Sequence, residues 1–304
     1  MKVLIAGGSG FIGRHLIRSL IADNHQVWVL SRSEKGIVGA TPIRWDGETT
    51  KGWGHLMNEV DAVVNLAGLS LNSWPWTRRK KQRFLTSRVK PGLALASAIE
   101  SAERKPGVFV QISGINHYGL RGDTLADEST PPADDFLAQL TVAWEESTAS
   151  VETHGVRRVV CRTAVVLARD AVLLWLMALP TRLFFGGKLG RGSQALPWIH
   201  IHDQIGAIRF LMQEATASGA YNLIAPQQTS NETFMRTLAK VLQRPYWFHV
   251  PAFLLRMVLG EMSLLITAGR FAVPKRLLEA GYKIRFTHLE DALEDLFVSL
   301  NTRK

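Results

Sequence analysis

A single cysteine, Cys161, rules out an intrachain disulfide, and its place in an apolar stretch marks it as a core thiol rather than a nucleophile. Long hydrophobic runs are also missing. The richest, Pro251 to Ala268, is broken by Arg256 and Glu261 and falls short of the ~20 apolar residues a spanning helix needs. A buried helix or an oligomer surface is expected there, and no membrane partner. Charge is sparse at 20% of residues, yet the balance is +10. Apart from Arg78-Arg79-Lys80-Lys81, with Arg83 and Arg88 behind, the basic residues are scattered, without the interleaved stacking residues of a nucleic-acid platform. No nucleic-acid partner is expected; the cluster reads as a solvated helix face or a site for an anionic substrate. The sequence opens on a core strand with no secretory signal before it, and with one thiol this points to a reducing cytoplasm.

What is present begins at residue 2. Lys2-Val3-Leu4-Ile5-Ala6 reads as a buried parallel strand, followed by Gly7, Gly8, Gly10 and Gly13. Phe11, Ile12, Leu16, Ile17 and Leu20 then return at helical spacing. A strand, a tight turn and a helix start form the receptacle for a dinucleotide pyrophosphate. Gly7 permits the turn, Gly10 lets backbone approach the phosphates, and Gly13 lets helix pack on strand, while the N–H groups at Phe11, Ile12 and Gly13 face the anion. The next strand, Gln26 to Leu30, ends in Ser31-Arg32-Ser33, with Glu34 and Lys35 after it. An NAD site normally carries an acid at the strand end for the ribose hydroxyls. A guanidinium flanked by hydroxyls instead suits a 2′-phosphate. NADP(H) is therefore the expected cofactor, with NAD(H) possible.

With 304 residues, the chain can bury one large core and an accessory lobe. Up to about residue 165 strands alternate with helices, predicting an α/β Rossmann-type doubly wound parallel sheet. Strands are expected at Thr41 to Trp45, Asp61 to Gly68, Val108 to Ser113 and Val156 to Val166, and helices over Arg78–Lys90, Leu93–Ala102 and Phe136–Val151. Residues 166–304 read as a mixed substrate-side region that could return strands to the main sheet. It includes a helix after Asp203 ending near Ala217, a strand at Tyr221 to Ile224, a helix over Glu232–Leu242 capped by Ser230 or Asn231, and a strand at Lys283 to Phe286. A helical subdomain is expected at about 249–300, completing a smaller, mostly helical C-terminal domain.

The runs Gly7-Gly8-Ser9-Gly10-Phe11-Ile12-Gly13, Asn65-Leu66-Ala67-Gly68 and Ser113-Gly114-Ile115-Asn116-His117-Tyr118-Gly119 together resemble the extended and atypical short-chain dehydrogenase/reductase superfamily. Trp144-Glu145, Gly186 to Gly190, Trp198 to Asp203, Gly260-Glu261 and Pro274 are similar to its epimerase-like branch with a helical C-terminal domain of unknown function. The resemblance implies that Leu66, Ala67 and Gly68 pack on the cofactor and that Ser113 holds a substrate oxygen. It also exposes an absence. Active members carry Tyr and Lys four apart on the next helix, where Lys lowers the phenol pKa and holds the ribose. Alignment on Glu145 puts Leu137 and Thr141 at those positions. Leu has no proton to transfer and Thr no charge, although Thr141 can still bond a ribose hydroxyl.

If the chain is an enzyme, proton transfer falls to Tyr118 or His117, close behind Ser113, or to a substrate group or water, with loop packing the rival account of both side chains; an imidazole with its reference pKa near 6.5 suits acid/base work near neutrality. His200 and His202 alternate on an expected extended segment beside Asp203, but no remote third ligand is identifiable, so no metal is expected. Trp74 and Trp76 could line a pocket mouth or pack on the following helix. The expected function is an NADP(H)-dependent oxidoreductase-like or epimerase-like enzyme acting on a small polar substrate, as monomer or homodimer. The alternative is a nucleotide-dependent regulatory protein without turnover.

Overall fold

The computed structural model describes residues 1–32, 38–120 and 124–298. Its strands in chain order are β1 (Lys2–Ala6), β2 (Gln26–Ser31), β3 (Thr41–Arg44), β4 (Ala62–Asn65), β5 (Val108–Gly114) and β6 (Arg157–Thr163). The short β7 (Val165–Leu167), β8 (Gly187–Leu189) and β9 (Trp198–His200) follow, then β10 (Gly219–Leu223) and β11 (Phe248–Val250). The helices are α1 (Phe11–Ala22), α2 (Arg78–Ser101), α3 (Phe136–Glu146), α4 (Val172–Arg182) and α5 (Ile201–Gln213). Beyond them lie α6 (Asn231–Val241), α7 (Ala252–Leu259), α8 (Leu264–Thr267), α9 (Lys275–Glu279) and α10 (Leu289–Phe297).

Seven parallel strands make the main sheet, ordered β10-β6-β5-β4-β1-β2-β3. Alternation splits its side chains between two cores. Val3 and Ile5 pack with Leu16, Leu20, Ile208 and Leu211 of α1 and α5. Leu4 and Ala6 pack on the other face with Leu95 and Ile99 of α2. A third core joins α4, α6 and α10 through Leu174, Met177, Phe234, Leu238 and Leu293. The chain runs outward from β1 to β3, then returns across β1 to β4. That reversal puts the switch point of the sheet, where open α/β sheets place ligands, between the ends of β1 and β4.

Several elements depart from the sequence reading, each for a local reason. The two helices expected around Pro91 are one, α2, with Pro91 inside it. Its continuation brings Gly92 against the next layer, where a Cβ would lie 2.0 Å from Ser147 Oγ. The helix expected to reach Val151 stops at Glu146 because Ser147 and Thr148 bond back to the Trp144 and Glu145 carbonyls at 2.7 and 3.2 Å. The expected strand over Val156 to Val166 is two, since the chain changes partners at Ala164. The Ala164 N–H still reaches Leu223 of β10, whereas that of Val165 bonds Pro197 and starts the β7–β9 pair. The helix expected to run to Ala217 ends at Gln213, and Ser230 rather than Asn231 caps α6. No strand forms at Lys283 to Phe286. There the N–H groups of Arg285 and Phe286 bond the buried Asp203 carboxylate at 2.8 and 2.9 Å, so a side chain from α5 replaces a neighbouring strand.

Candidate functional site

A cleft of about 610 Å³ opens at the switch point. Its floor is the glycine turn. Gly7 has φ of +77°, and a Cβ there would sit 2.7 Å from the Leu66 carbonyl carbon, so this turn and the loop after β4 touch through bare backbone. Gly13 serves packing, since its Cβ would lie 2.4 Å from Gly8 O. Gly10 is the N-cap of α1 and offers no side chain to it, and no acid stands in the first turn. The first helical bond is made by Arg14 N–H, which leaves the N–H groups of Phe11, Ile12 and Gly13 ahead of it as an anion receptor. Loop 66–68 is held from below: buried Asn65 accepts from the Ala67 N–H at 3.1 Å and donates to buried Gln111 at 2.9 Å.

Of the residues expected to bind cofactor, Gly7, Gly10, Ser31, Arg32, Leu66, Ala67 and Gly68 line this one cleft. Phe11 and Ile12 turn their side chains away, into the C-terminal and main cores respectively. Ser33, with Lys35, lies outside the described residues. The basic run on α2 divides its work. Arg83, Thr86 and Lys90 line the cleft, which sequence reasoning missed except for noting Arg83 within a basic cluster. Arg88 is buried against the Trp144 ring at 4.7 Å, and burial pushes its guanidinium down to about 10. Lys81 pairs with Glu261 and lies over the Phe136 ring. Trp76 packs with Phe84 and Leu137, whereas Trp74 is exposed.

Beyond the end of β5 the remaining candidates converge on a buried polar network. The Ser113 hydroxyl donates to Glu145 Oε1 at 2.7 Å. Arg162 grips the same carboxylate through Nε and Nη2, at 3.0 and 2.9 Å, and its Nη1 donates to the Tyr118 hydroxyl at 3.0 Å. Tyr118, itself 1% exposed, donates to Asn222 Oδ1 at 2.7 Å, and burial raises its pKa despite Arg162. Thr141 is buried nearby and donates to the Ala138 carbonyl at 2.7 Å, while Leu137 is apolar core. Glu145 entered the sequence reading as part of a family signature and as an alignment anchor, and Arg162 and Asn222 only as members of expected strands, none of them as a site residue. The available signal was a guanidinium directly after the apolar run Val159-Val160-Cys161 within a strand. Cys161 itself is fully buried, and its thiol is pushed up to about 12.

His117 joins this network with Nδ1 at 3.7 Å from Glu145 Oε1, too far for a hydrogen bond. Burial, reinforced by Arg162, outweighs the carboxylate and drives its pKa down to about 4. It is therefore neutral at pH 7, and the reference value near 6.5 does not describe it. His200 and His202 do not share a face: His200 is the buried N-cap of α5, accepting from the His202 N–H, whereas the His202 side chain is exposed. His200 is also driven to about 4 by burial. Among the described residues no group of three or more His, Cys, Asp and Glu converges as a metal site.

The two imidazoles set an expected pH dependence. Between about 6.5 and about 4 the unfolded chain takes up protons that the folded chain refuses. Stability is fully present above that window and falls as pH drops through it. Melting temperatures measured from pH 7.5 to 4.5 should decline toward the acid end, less steeply in His117→Asn; a flat wild-type profile would contradict the burial of both rings.

Fold and cleft define the class: a doubly wound α/β protein with a phosphate-receiving turn at the carboxyl edge of its sheet. More narrowly, the chain belongs to the NAD dependent epimerase/dehydratase family, whose model matches residues 3–223; a domain of unknown function, DUF1731, matches residues 250–296. This bears out the resemblance read from the sequence. The epimerase family protein YfhF of Bacillus subtilis (strain 168) is 35% identical over 305 residues, spanning 99% of this chain and 100% of that protein. The epimerase family protein SDR39U1 of Bos taurus is 35% identical, spanning 97% and 99%. The crystal structure of human SDR39U1 (isoform2) with NADPH superposes with a TM-score of 0.86 at 31% identity, covering 97% of this chain and 99% of that one.

Proposed function

We propose that this chain binds NADP(H) in the cleft and acts as an oxidoreductase-like or epimerase-like enzyme on a small polar carbonyl, alcohol or sugar-type substrate. The observation that carries the cofactor reading is one cavity lined by the glycine turn, Ser31 and Arg32 together. Two carboxylates also border it, and both are engaged. Asp46 accepts from the Glu48 and Thr49 N–H groups at 2.8 Å, and Glu48 pairs with Lys90 at 2.8 Å. Neither stands at the end of β2, where an NAD site carries its acid; both follow β3. The human relative solved with NADPH supports the same reading.

When bound, the cofactor supplies hydride chemistry, and the chain supplies position. The glycine turn and the N-terminus of α1 hold the pyrophosphate, and Arg32 with Ser31 takes the 2′-phosphate. Ser113 donates its own proton to Glu145, so it orients a reacting hydroxyl by accepting from it. Tyr118 accepts from Arg162 and commits its own hydroxyl proton to Asn222, and neutral His117 packs beside Glu145. With Leu137 and Thr141 at the usual acid positions, proton transfer falls to a substrate group or water.

A second reading has its own observation. Leu137 and Thr141 are built into the core, which equally suits a cofactor-dependent regulatory protein without turnover. Titration of cofactor-free protein with NADPH and NADH, then saturation-transfer NMR of the loaded protein against a metabolite pool, separates the two. Tighter NADPH binding with a metabolite signal is expected. Tight NADPH binding without a second ligand favours regulation, and equal affinities for the two cofactors would remove the NADP assignment.

A further inference from the structure

The segment read as a buried helix or an oligomer surface exposes its apolar side chains. Helix α7 buries none of its residues: Phe253, Met257 and Val258 are 68, 74 and 65% exposed. The chain enters it directly from β11, which pairs with β8. Just before β11, Trp247 is 70% exposed, and its indole N–H donates to the Phe184 carbonyl at 2.7 Å. Phe185 packs on Phe248 with ring centroids 5.2 Å apart. The end of α4 and the β8–β11 pair thus touch through aromatic side chains, and α7, next in the chain, adds exposed apolar residues. Water-exposed surface of this kind is costly unless something covers it.

Charge identifies the cover. Residues 171–202 and 233–260 contain no Asp or Glu, yet they carry Arg182, Lys188, Arg191, Arg244 and Arg256. None of these five forms an ion pair within 4.0 Å among the described residues, whereas Arg236 and Lys240, further along α6, pair with Glu232 and Glu290. Arg244 lies over the Phe184 ring at 4.8 Å, so cation and apolar surface are interleaved. A second copy docked through this face would set unpaired cations against their own kind, which opposes self-association. An anionic bilayer satisfies both components: headgroup phosphates take the guanidinium and ammonium groups, and the interface takes the aromatic and aliphatic side chains.

We propose that this face docks the protein onto anionic lipid surfaces. No described helix is long and apolar enough to cross a membrane. Lying on one is a different requirement, met by an exposed apolar face with a basic border, and the sequence alone pointed away from both.

The test is sedimentation of the full chain with phosphatidylcholine vesicles, with and without phosphatidylglycerol, at low and high salt. Binding is expected with phosphatidylglycerol and should weaken as salt rises. Arg244→Gln and Arg256→Gln should each weaken it about fivefold, and Phe253→Ser with Met257→Ser by on the order of tenfold or more. Because these side chains are exposed, melting temperatures should stay at the wild-type value. The proposal is overturned if wild-type protein stays in solution at low salt, or if it binds neutral and anionic vesicles alike. It is also overturned if light scattering shows a dimer that the Phe253→Ser, Met257→Ser variant dissociates while vesicle binding is absent.

Discussion

Arg162→Met should lower the melting temperature by about 6–12 °C, corresponding to roughly 3–5 kcal/mol for stranding one partner of a buried pair. Arg162 and Glu145 have side chains only 8 and 13% exposed and meet through two parallel N–H···O bonds. Removing the cation leaves Glu145 buried with Ser113 as its remaining hydrogen-bond donor, and takes one of two hydrogen bonds from the Tyr118 hydroxyl. Adding Glu145→Gln should recover part of the loss, because the stranded charge is then gone. Differential scanning calorimetry of the single and double variants measures both. A single variant melting within about 2 °C of wild type would mean that the pair holds nothing in place.

Arg32→Glu should weaken NADPH binding by on the order of 100-fold and leave NADH within about threefold, because a carboxylate repels the 2′-phosphate but bonds ribose hydroxyls. Arg32 follows β2 on the cleft wall, beside Ser31, and the glycine turn is untouched by the change. Calorimetric titration with both cofactors reads the selectivity directly. A parallel loss for NADPH and NADH would show that the substitution damaged the site as a whole, and no loss for either would place the phosphate elsewhere.

The nucleotide end of the site was legible because it is local. Strand, glycines and helix lie within the first 22 residues, and the Ser31-Arg32 pair ends the very next strand. Gly7, Gly10 and Gly13 each answer a backbone approach that spacing already implied. The same logic failed at Pro91-Gly92, where α2 runs on through Pro91 and close packing on Ser147 leaves no room for a side chain at Gly92. It failed again at Lys283 to Phe286, an irregular stretch whose backbone partner is the side chain of Asp203, some 80 positions earlier. The second half of the site was illegible for that reason too. Ser113, Glu145, Arg162, Tyr118 and Asn222 span more than 100 residues, and nothing in their spacing says they share one proton network.

Sequence alone determined the parallel α/β sheet, the phosphate-receiving turn, the want of an acid after β2, and the absence of the Tyr/Lys pair. All of these follow from period, steric allowance or residue chemistry over short spans of chain. Tertiary structure decided which cations on α2 face the cleft and which one is buried beneath it. It decided that His117 is neutral, because burial by distant elements outweighs the carboxylate beside it. It also decided that the apolar tail faces outward: hydropathy records how much a side chain avoids water, and only packing determines whether the fold has somewhere to put it.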